Sequence, residues 1–490
     1  MKTAGMKHQL KALRLMNGRA GFALFMEQGT GKTWTLLADA ERLFAAGRID
    51  AMLVIAPKGV HTNWVRREIP QHMDAPLIAR AWKSGAGKKT MAHIDEIIAQ
   101  RQPGEELKLR ILSMNIDALN TEAGFIYAKR FLSCTRALMV IDESSRIKNP
   151  NSGRTKEIMR IHHLAEVRRI ATGTPVTNAP MDVFAQMEFL ESGLLGTTSY
   201  RAFTAEYADL LDSASAMMMQ MARRNPRAAH AQIVARNADG TPRWRNLEKL
   251  QQLLAPHSFR VLKAECLDLP EKIYQQVFFD LSPAQQRAYD LLREELRIEV
   301  DTLDAPEIIT VSKLAALMKL QQITSGFVIT PQRDIQYVSE DNPRLAALLD
   351  LLEDVQGKII VWARFKEELR AVAAALSKAG WNVVSYHGDV NDANREEAVD
   401  SFQNGAATAF VGQPQSGGIG LTLTAANTVI YYSNDYNSET RKQSEDRAHR
   451  IGTKANVVYV DLIAASTVDE SITRALQRKS ELAAAILGDN

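Results

Sequence analysis

Short apolar segments recur through the first 190 residues, and stretches with helical spacing of their apolar positions lie between them. A continuous apolar run is typical of a strand buried on both faces of a parallel sheet. Runs of this kind predict strands at residues 21–26, 51–56, 109–114, 137–141 and 168–172. Because strands and helices alternate, the pattern predicts a doubly wound α/β sheet with its site at the carboxyl ends of the strands.

The pattern becomes mainly helical after residue 190, and a second alternating region begins near residue 343. This region predicts strands at residues 358–362, 382–386, 408–411, 428–432 and 457–462, and a terminal helix at 468–487. We therefore expect three parts: a first lobe (1–190), helical insertions with an interlobe linker (191–335), and a second lobe (336–490).

The N-terminal 20 residues predict a short amphipathic helix. Its apolar side is formed by Met6, Leu10, Leu13 and Leu15. His8 and Gln9, taken alone, are expected to be polar surface residues of this helix.

Composition narrows the classes of function. Of the 490 residues, 46% are hydrophobic and 24% are charged, as in ordinary soluble globular proteins. No apolar run approaches the roughly 18 residues of a membrane span, and the N-terminus lacks the apolar segment of a signal peptide. Cys134 and Cys266 form neither a disulfide framework nor a metal-ligand spacing. We expect a soluble, cytoplasmic protein without a membrane partner.

The net charge of +3 is compatible with a polyanionic partner but does not identify one. One segment is strongly basic, with a single acid, Asp239, among six arginines: Arg223, Arg224, Arg227, Arg236, Arg243 and Arg245. The sequence leaves two interpretations open, a solvated basic face and a surface that contacts phosphates.

The strongest chemical signal is the sequence MEQGTGKT, which follows the first predicted strand and precedes a helix. This order forms a phosphate cradle, because glycines let backbone N–H groups converge on a polyphosphate at a helix N-terminus. The full P-loop pattern has glycine where this chain has Met26, so an ordinary Gly-rich turn is the alternative. The candidate nucleotide-binding residues are Gly29, Thr30, Gly31, Lys32 and Thr33.

Within this cradle, Lys32 would reach the β- and γ-phosphates and the Thr33 hydroxyl would bind magnesium. Asp142 and Glu143, directly after a predicted buried strand, form the second part of the site. Asp142 would hold magnesium, and Glu143 would orient and deprotonate the attacking water. Most Asp-Glu pairs are solvated surface residues, but the position after a buried strand favours the catalytic interpretation.

The second lobe has no phosphate loop of its own, and its contribution is predicted from the sequence QSEDRAHRIG. With helical spacing, Gln443, Arg447 and Arg450 share one face. Two arginines presented together neutralise charge on a transferring γ-phosphoryl group. The alternative is an exposed helix with Glu445, Asp446 and Arg447 paired as surface charges, and spacing alone leaves both interpretations open.

Taken together, these stretches resemble the Swi/Snf-type branch of the superfamily-two helicase-like ATPases. In the first lobe the resemblance rests on MKHQ, EQGTGKT, VIAPKGVHTNW, VIDESSRIKNP and ATGTPVTNAP, which are similar to the Q motif and motifs I, Ia, II and III. In the second lobe it rests on KIIVWARF, YHGDVNDANREEAVDSF, QSGGIGLTLTAANTVIYYSNDYN and QSEDRAHRIGTK, similar to motifs IV to VI. It covers nearly the whole chain in the family's order.

The resemblance implies two RecA-like lobes and a DNA-stimulated ATPase that uses ATP and magnesium. It implies a motor that moves along the backbone of double-stranded DNA, usually without separating the strands, and we expect it to act as a monomer with unknown protein partners. By motif position, Gln9 would read adenine and Gly420 would join the nucleotide site. DNA contacts, or their coupling to hydrolysis, would involve Lys58, Thr172, Thr174, His387, Gly388, Gln415, Ser416 and Gly417.

Two positions depart from the family pattern. Ser145 stands where His or Gln is usual in motif II, which puts the link from motif II to the γ-phosphate or motif III in doubt. Tyr436 stands where Trp is common. The chain resembles a near-minimal motor of bacterial or viral type. Two alternatives remain open, a strand-separating or RNA-directed helicase of the same superfamily and a clamp that binds ATP and DNA without hydrolysis.

Overall fold

The structure is a computed structural model that describes residues 1–83, 85, 88–99, 106–211, 232–238, 240–302, 306–415 and 421–489. The chain divides into two compact units. The first unit comprises Met1–Asp209, Arg236–Asp268 and Ser480–Asn490, and the second comprises Leu210–Ala235 and Leu269–Lys479. No helix among the described residues is long and apolar enough to cross a membrane.

The first unit is built on a seven-stranded sheet of order β3-β4-β2-β5-β6-β1-β7, in which all neighbours are parallel. Its strands are β1 (Gly21–Met26), β2 (Ala51–Ala56), β3 (Leu77–Ala81), β4 (Leu109–Asn115), β5 (Ala137–Asp142), β6 (Val167–Ala171) and β7 (Ser258–Val261). Strands β2 and β5 are buried along their whole length, as their continuous apolar sequence predicts.

The helices of the first unit cover both faces of this sheet. They are α1 (Lys7–Met16), α2 (Lys32–Ala45), α3 (Val60–Asn63), α4 (Ile69–His72), α5 (Lys88–Ile98), α6 (Glu122–Ser133), α7 (Gly153–Ile161), α8 (Phe184–Leu190), α9 (Tyr200–Tyr207), α10 (Leu247–Leu254) and α11 (Lys263–Cys266). A wider helical turn, Trp64–Glu68, lies between α3 and α4.

The second unit contains a six-stranded parallel sheet of order β12-β13-β11-β14-β15-β8 and a two-stranded antiparallel ribbon. The sheet strands are β8 (Lys272–Phe279), β11 (Lys358–Trp362), β12 (Val383–Tyr386), β13 (Ala409–Gly412), β14 (Ala426–Tyr431) and β15 (Val457–Ala464), and the ribbon strands are β9 (Phe327–Ile329) and β10 (Ile335–Tyr337). The helices are α12 (Pro283–Thr302), α13 (Pro306–Thr324), α14 (Pro343–Glu353), α15 (Lys366–Lys378), α16 (Asp392–Asn404), α17 (Ser438–Ala448) and α18 (Val468–Leu487).

The predicted fold class, two doubly wound parallel-sheet lobes, is confirmed by these two sheets. All ten predicted strands are present, with ends shifted by at most two residues. Strands β3, β7, β8, β9 and β10 were not predicted. They are short or lie at sheet edges, and a partly exposed strand lacks the continuous apolar run that marked the central ones.

The predicted apolar face of the first helix is wrong. Met6, Leu10 and Leu15 are exposed, whereas the buried face of α1 carries His8, Gln9, Ala12 and Met16. The physical reason is that this face packs against α2 and β7 and lies beside the phosphate loop, where His8 and Gln9 find a main-chain oxygen. The polar residues His8 and Gln9 are therefore buried because they form hydrogen bonds, and Ala12 and Met16 because they are hydrophobic.

Candidate nucleotide-binding site

The phosphate loop connects β1, which ends at Met26, to α2, which begins at Lys32. Gly29 and Gly31 have φ angles of 83° and 85°, a region that side chains rarely adopt. A Cβ atom at Gly31 would also lie 2.0 Å from Nε2 of Gln9. The positive φ therefore favours glycine at position 31, and a larger residue there would also displace the Gln9 amide.

Lys32 is buried within the loop that it follows. Its Nζ atom donates to the main-chain oxygen of Met26 at 3.1 Å and to that of Glu27 at 3.4 Å. Thr33, the next residue of α2, is partly exposed. The first turn of α2 thus begins with these two residues directly after the loop, and their roles toward phosphate and magnesium stay predictions.

The loop is held from the side of α1 by two side chains. His8 Nε2 donates to the main-chain oxygen of Thr30 at 2.7 Å, and Gln9 Nε2 donates to the same oxygen at 3.2 Å. Gln9 Oε1 accepts from the N–H of Met6 at 2.8 Å. The expectation that His8 and Gln9 lie on the surface is therefore wrong, because the loop carbonyl draws both inward.

A cavity of about 540 Å³ lies beside these residues, lined by Met6, Lys7, His8 and residues 264–268. The cavity thus lies between the start of α1, next to the predicted adenine-reading residue Gln9, and the segment after β7. The side chain of Gln9 already bonds protein groups with both of its ends.

Asp142 and Glu143 stand at the carboxyl end of β5, as predicted. Asp142 Oδ2 accepts from Trp64 Nε1 at 2.9 Å, and Asp142 Oδ1 accepts from the N–H of Glu143 at 3.1 Å. Burial raises the pKa of Asp142, although the Trp64 hydrogen bond and the positive charge of Lys32 act in the opposite direction. A carboxyl group buried in this way beside Lys32 suits a site that receives a cation.

Glu143 has a positive φ of 54°, and its side chain is buried. Its Oε2 atom accepts from the Thr172 hydroxyl at 3.3 Å, and Thr172 Oγ1 accepts from the N–H of Thr174 at 3.1 Å. The structure therefore brings the candidate acid pair and the two threonines after β6 into one network. A non-glycine residue in this backbone region is uncommon and is often found at functional sites.

The second unit contains the predicted arginines, but not on one helical face. Helix α17 ends at Ala448, so Arg450 lies beyond it, and the spacing argument for Gln443, Arg447 and Arg450 fails for the last of the three. Arg450 Nη1 donates to the main-chain oxygen of Leu421 at 3.2 Å. Gly452, at φ 105°, marks the turn that follows the helix.

The alternative of an exposed, charge-paired helix is also wrong, because Glu445, Asp446 and Arg447 are all buried. Glu445 accepts from Arg441 Nε at 2.8 Å and from the Tyr274 hydroxyl at 2.8 Å. Lys272, like Tyr274 a residue of β8, lies 3.3 Å from the same carboxylate. Arg447 is therefore carried by a helix whose buried face is fixed by ion pairs.

Among the predicted DNA-contacting residues, those that the structure describes lie shortly after the carboxyl ends of strands. Lys58 is exposed after β2 of the first unit, and His387 and Gly388 follow β12 of the second. Gln415 follows β13, is exposed, and donates to Asp435 Oδ2 at 2.7 Å. The remaining predicted residues, Ser416, Gly417 and Gly420, lie outside the described residues.

The sequence missed several residues that hold these groups. Arg395 donates to the main-chain oxygens of His387 and Gly388 at 3.0 and 2.9 Å. Gln186 bonds Ser144 directly after the acid pair. Arg395 lies within YHGDVNDANREEAVDSF but was given no role there, and Gln186 lies outside the stretches that carry the resemblance.

The basic segment is only partly described. Arg243 and Arg245 lie 2.9 and 3.7 Å from the carboxylate of Asp209, and Arg236 donates to the main-chain oxygen of Gly240 at 2.6 Å. Arg223, Arg224, Arg227 and Asp239 lie outside the described residues. The two interpretations of this segment remain open.

Comparison with known proteins adds an independent line of information. The sequence matches the SNF2-related domain over residues 8–326 and the helicase conserved C-terminal domain over residues 343–452. It is 25% identical over 480 residues to an uncharacterized ATP-dependent helicase of Mycoplasma genitalium, with 97% of this chain and 41% of that protein covered.

It is also 24% identical over 478 residues to chromodomain-helicase-DNA-binding protein 1-like of Mus musculus, covering 94% of this chain and 47% of that protein. The chain therefore spans less than half the length of these two relatives. A solved structure, the Sulfolobus solfataricus SWI2/SNF2 ATPase core in complex with dsDNA, aligns with a TM-score of 0.41 and 22% identity, covering 100% of this chain and 94% of that one.

Proposed function

The chain belongs to the SNF2-related family, as the motif resemblance predicted, and from this premise we propose that it is an ATP-dependent motor that moves along double-stranded DNA without separating the strands. One observation carries the proposal. Asp142, Glu143, Thr172 and Thr174 form a continuous buried network at the carboxyl ends of β5 and β6, and the phosphate loop begins at the carboxyl end of the neighbouring β1. Such a network joins a candidate hydrolytic group to a loop expected to respond to DNA.

For ATP binding, the N–H groups of Gly29, Thr30 and Gly31 and the ammonium group of Lys32 would hold the phosphates. Magnesium fits this site, because the Thr33 hydroxyl and the Asp142 carboxylate are oxygen ligands of the kind it prefers. When bound, magnesium would neutralise phosphate charge and orient the γ-phosphoryl group. Gln9 and the cavity beside His8 are the proposed location of the base.

For hydrolysis, Glu143 would accept a proton from the attacking water. The hydrogen bond from Thr172 holds one oxygen of this carboxylate, and this contact would keep the group in a fixed orientation. Arg447 and Arg450 would supply positive charge to the γ-phosphoryl group during transfer. Their role stays a prediction from the sequence.

For DNA binding, we propose sequence-independent contacts with backbone phosphates, made by Lys58 in the first unit and by His387, Gly388, Gln415, Ser416 and Gly417 in the second. Contacts of this kind position a protein on a duplex without reading its bases. They also weaken steeply with salt, because each neutralised phosphate releases counterions.

The proposal is tested by measuring phosphate release while duplex DNA, single-stranded DNA or RNA is titrated, at two salt concentrations. We expect stimulation by duplex DNA that falls steeply as salt rises. Stronger stimulation by RNA, or unwinding of a forked duplex in the same preparation, would indicate a strand-separating or RNA-directed helicase instead. Tight ATP and DNA binding without any phosphate release would indicate a non-hydrolysing clamp.

A further inference from the structure

Two buried side chains, Ser144 and Gln186, hold the turn that carries the candidate general base. Both are completely shielded from solvent, and the Ser144 hydroxyl donates to Gln186 Oε1 at 2.7 Å. Ser144 directly follows Glu143, whose φ of 54° is uncommon for a residue with a side chain. The bond therefore holds the chain directly after Glu143, the residue with the uncommon backbone conformation.

The amide nitrogen of the same Gln186 binds the loop that follows β6. Gln186 Nε2 donates to the main-chain oxygen of Pro175 at 2.8 Å and to that of Asp182 at 2.7 Å. Asp182 Oδ2 in turn accepts from the N–H groups of Thr177 and Asn178 at 2.8 and 2.7 Å. Gln186 thus joins the turn at Glu143 to both ends of the loop at residues 175–182.

A second connection closes a ring of hydrogen bonds formed by Ser144, Gln186, Asp182, Thr177 and Lys148. Lys148, at the far end of the same turn, donates through Nζ to the Thr177 hydroxyl. That hydroxyl donates to Asp182 Oδ2 at 2.8 Å. The turn and the loop are thus tied at two points, and a displacement of the loop would stretch hydrogen bonds made to the turn.

The ring also answers the doubt raised by Ser145. A serine at that position has a short side chain compared with the His or Gln usual in the family, so the expected link to motif III was in question. Here the link is made one residue earlier, by Ser144, and the long side chain is supplied from the other side by Gln186. The two segments are therefore connected without a long side chain at position 145.

We propose that Gln186 is a positioning residue that transmits a DNA-induced displacement of the loop at residues 175–182 to the carboxylate of Glu143. This inference rests on the proposed function, since it requires an ATPase stimulated by DNA. The Thr172 hydrogen bond to Glu143 does not involve Gln186, so it keeps the carboxylate oriented in the absence of DNA. The Ser144–Gln186 bond should therefore matter for stimulation and much less for the basal rate.

The experiment compares Ser144→Ala, Gln186→Leu and the double variant with the wild-type chain, each assayed with and without saturating duplex DNA. The control is Thr135→Val, which removes a partly buried hydroxyl that donates to the Phe131 carbonyl at 2.7 Å, outside the ring. Thermal melts followed by circular dichroism check that each variant folds.

We expect Ser144→Ala to lower the DNA-stimulated kcat about fivefold to tenfold, as for the loss of one buried hydrogen bond. The rate without DNA and the KM for ATP should change less than about twofold, because the phosphate loop and the Thr172 contact are untouched. Gln186→Leu should lower stimulation further, since it leaves two buried carbonyls without this donor. The double variant should resemble Gln186→Leu, because contacts within one network are not additive.

Equal losses with and without DNA, strictly additive effects, or unchanged stimulation in Ser144→Ala would each overturn the inference. If Gln186→Leu does not fold, the comparison of Ser144→Ala with Thr135→Val decides alone. A wild-type chain that duplex DNA does not stimulate contradicts the proposed function and this inference together. A stimulated wild type with a fully stimulated Ser144→Ala contradicts the inference only.

Discussion

His8 and Thr30 are joined by a hydrogen bond of 2.7 Å, from the imidazole Nε2 atom of the first helix to a main-chain oxygen of the phosphate loop. The same oxygen accepts from Gln9 at 3.2 Å. The loop conformation thus depends on α1 as well as on its own glycines. A residue outside the Gly-rich sequence therefore helps to set the geometry in which phosphate would be bound.

His8→Ala is expected to raise the KM for ATP about fivefold while kcat changes by less than about threefold, because it weakens the support of one loop carbonyl by roughly 1 kcal/mol. Steady-state phosphate release at varied ATP concentration measures both constants. Leu10→Ala, an exposed position on the same helix, is the matched control and should leave KM unchanged. An unaltered KM in His8→Ala would show that the loop holds its conformation without the imidazole.

Glu143→Gln is expected to abolish hydrolysis while ATP still binds. The amide keeps the shape of the side chain and can accept from Thr172, but it cannot take a proton from water. Loss of a general base typically lowers the rate by about 100-fold to 10,000-fold. Phosphate release and binding of a fluorescent ATP analogue, measured on the same preparation, separate the two effects, and persistent turnover would remove Glu143 from its assigned role.

The central strands and the chemical groups at their ends were predictable from the sequence for a physical reason. A strand buried on both faces, such as β2 or β5, needs an unbroken apolar run, and this run fixes where a polar pair such as Asp142 and Glu143 emerges. The glycines of the phosphate loop were equally predictable, because their positive φ angles are strained for residues that carry a side chain.

The supporting contacts were not predictable, because they depend on which distant segments fold together. Gln186 looks like any polar residue of a helix, and its position against Ser144 arises only when α8 packs beside the turn after β5. In the same way, Lys272 reaches Glu445 only because β8 pairs with β15. A spacing rule also misplaced Arg450, since the helix that would carry it stops at Ala448.

Arg447→Ala and Arg450→Ala are each expected to lower kcat for ATP hydrolysis by about 100-fold or more, because an arginine that neutralises a transferring phosphoryl group typically contributes factors of about 1,000 to 100,000. The KM for ATP should change little. Arg474→Ala is the control. The side chain of Arg474 is exposed and lies 3.9 Å from Glu470, and a surface ion pair of this kind contributes little to stability. If only one variant loses activity, only that arginine acts on the phosphoryl group.

Glu445→Gln tests the buried charge network of the second unit. Burial by itself would raise the pKa of Glu445, but Lys272 and Arg441 outweigh it, and the pKa lies below the ordinary value of 4.5. A lowered pKa in the folded state stabilises the unit above that value, and the contribution is lost as pH falls through the folded-state pKa. We expect the variant to be less stable at pH 7 by about 3 kcal/mol, the usual cost of breaking a buried ion pair.

Urea unfolding of this variant and of the wild type at several pH values makes the comparison. The stability difference between them should shrink as pH falls from the ordinary pKa of 4.5 through the lower folded-state pKa, below which the wild-type carboxylate is neutral as well. Glu470→Gln removes a half-buried carboxylate that pairs with Arg474 at the surface, and it should shift stability by less than about 1 kcal/mol at any pH. A difference that stays constant into acid would mean that the Glu445 charge contributes nothing.

The ion pair between Arg169 and Asp39 gives a stability test for the first unit that leaves the site chemistry intact. Both side chains are fully buried, 2.9 Å apart, and Arg169 also donates to the main-chain oxygens of Ala20 and Arg19. Asp39→Asn should destabilise the unit by roughly 3–5 kcal/mol, because it leaves a buried guanidinium without its counter-charge. The surface pair Arg48–Glu166, at 3.6 Å, is the control, and Arg48→Ala should cost less than about 1 kcal/mol. Denaturant unfolding measures both, and equal effects at the two pairs would show that burial does not set the strength of this contact.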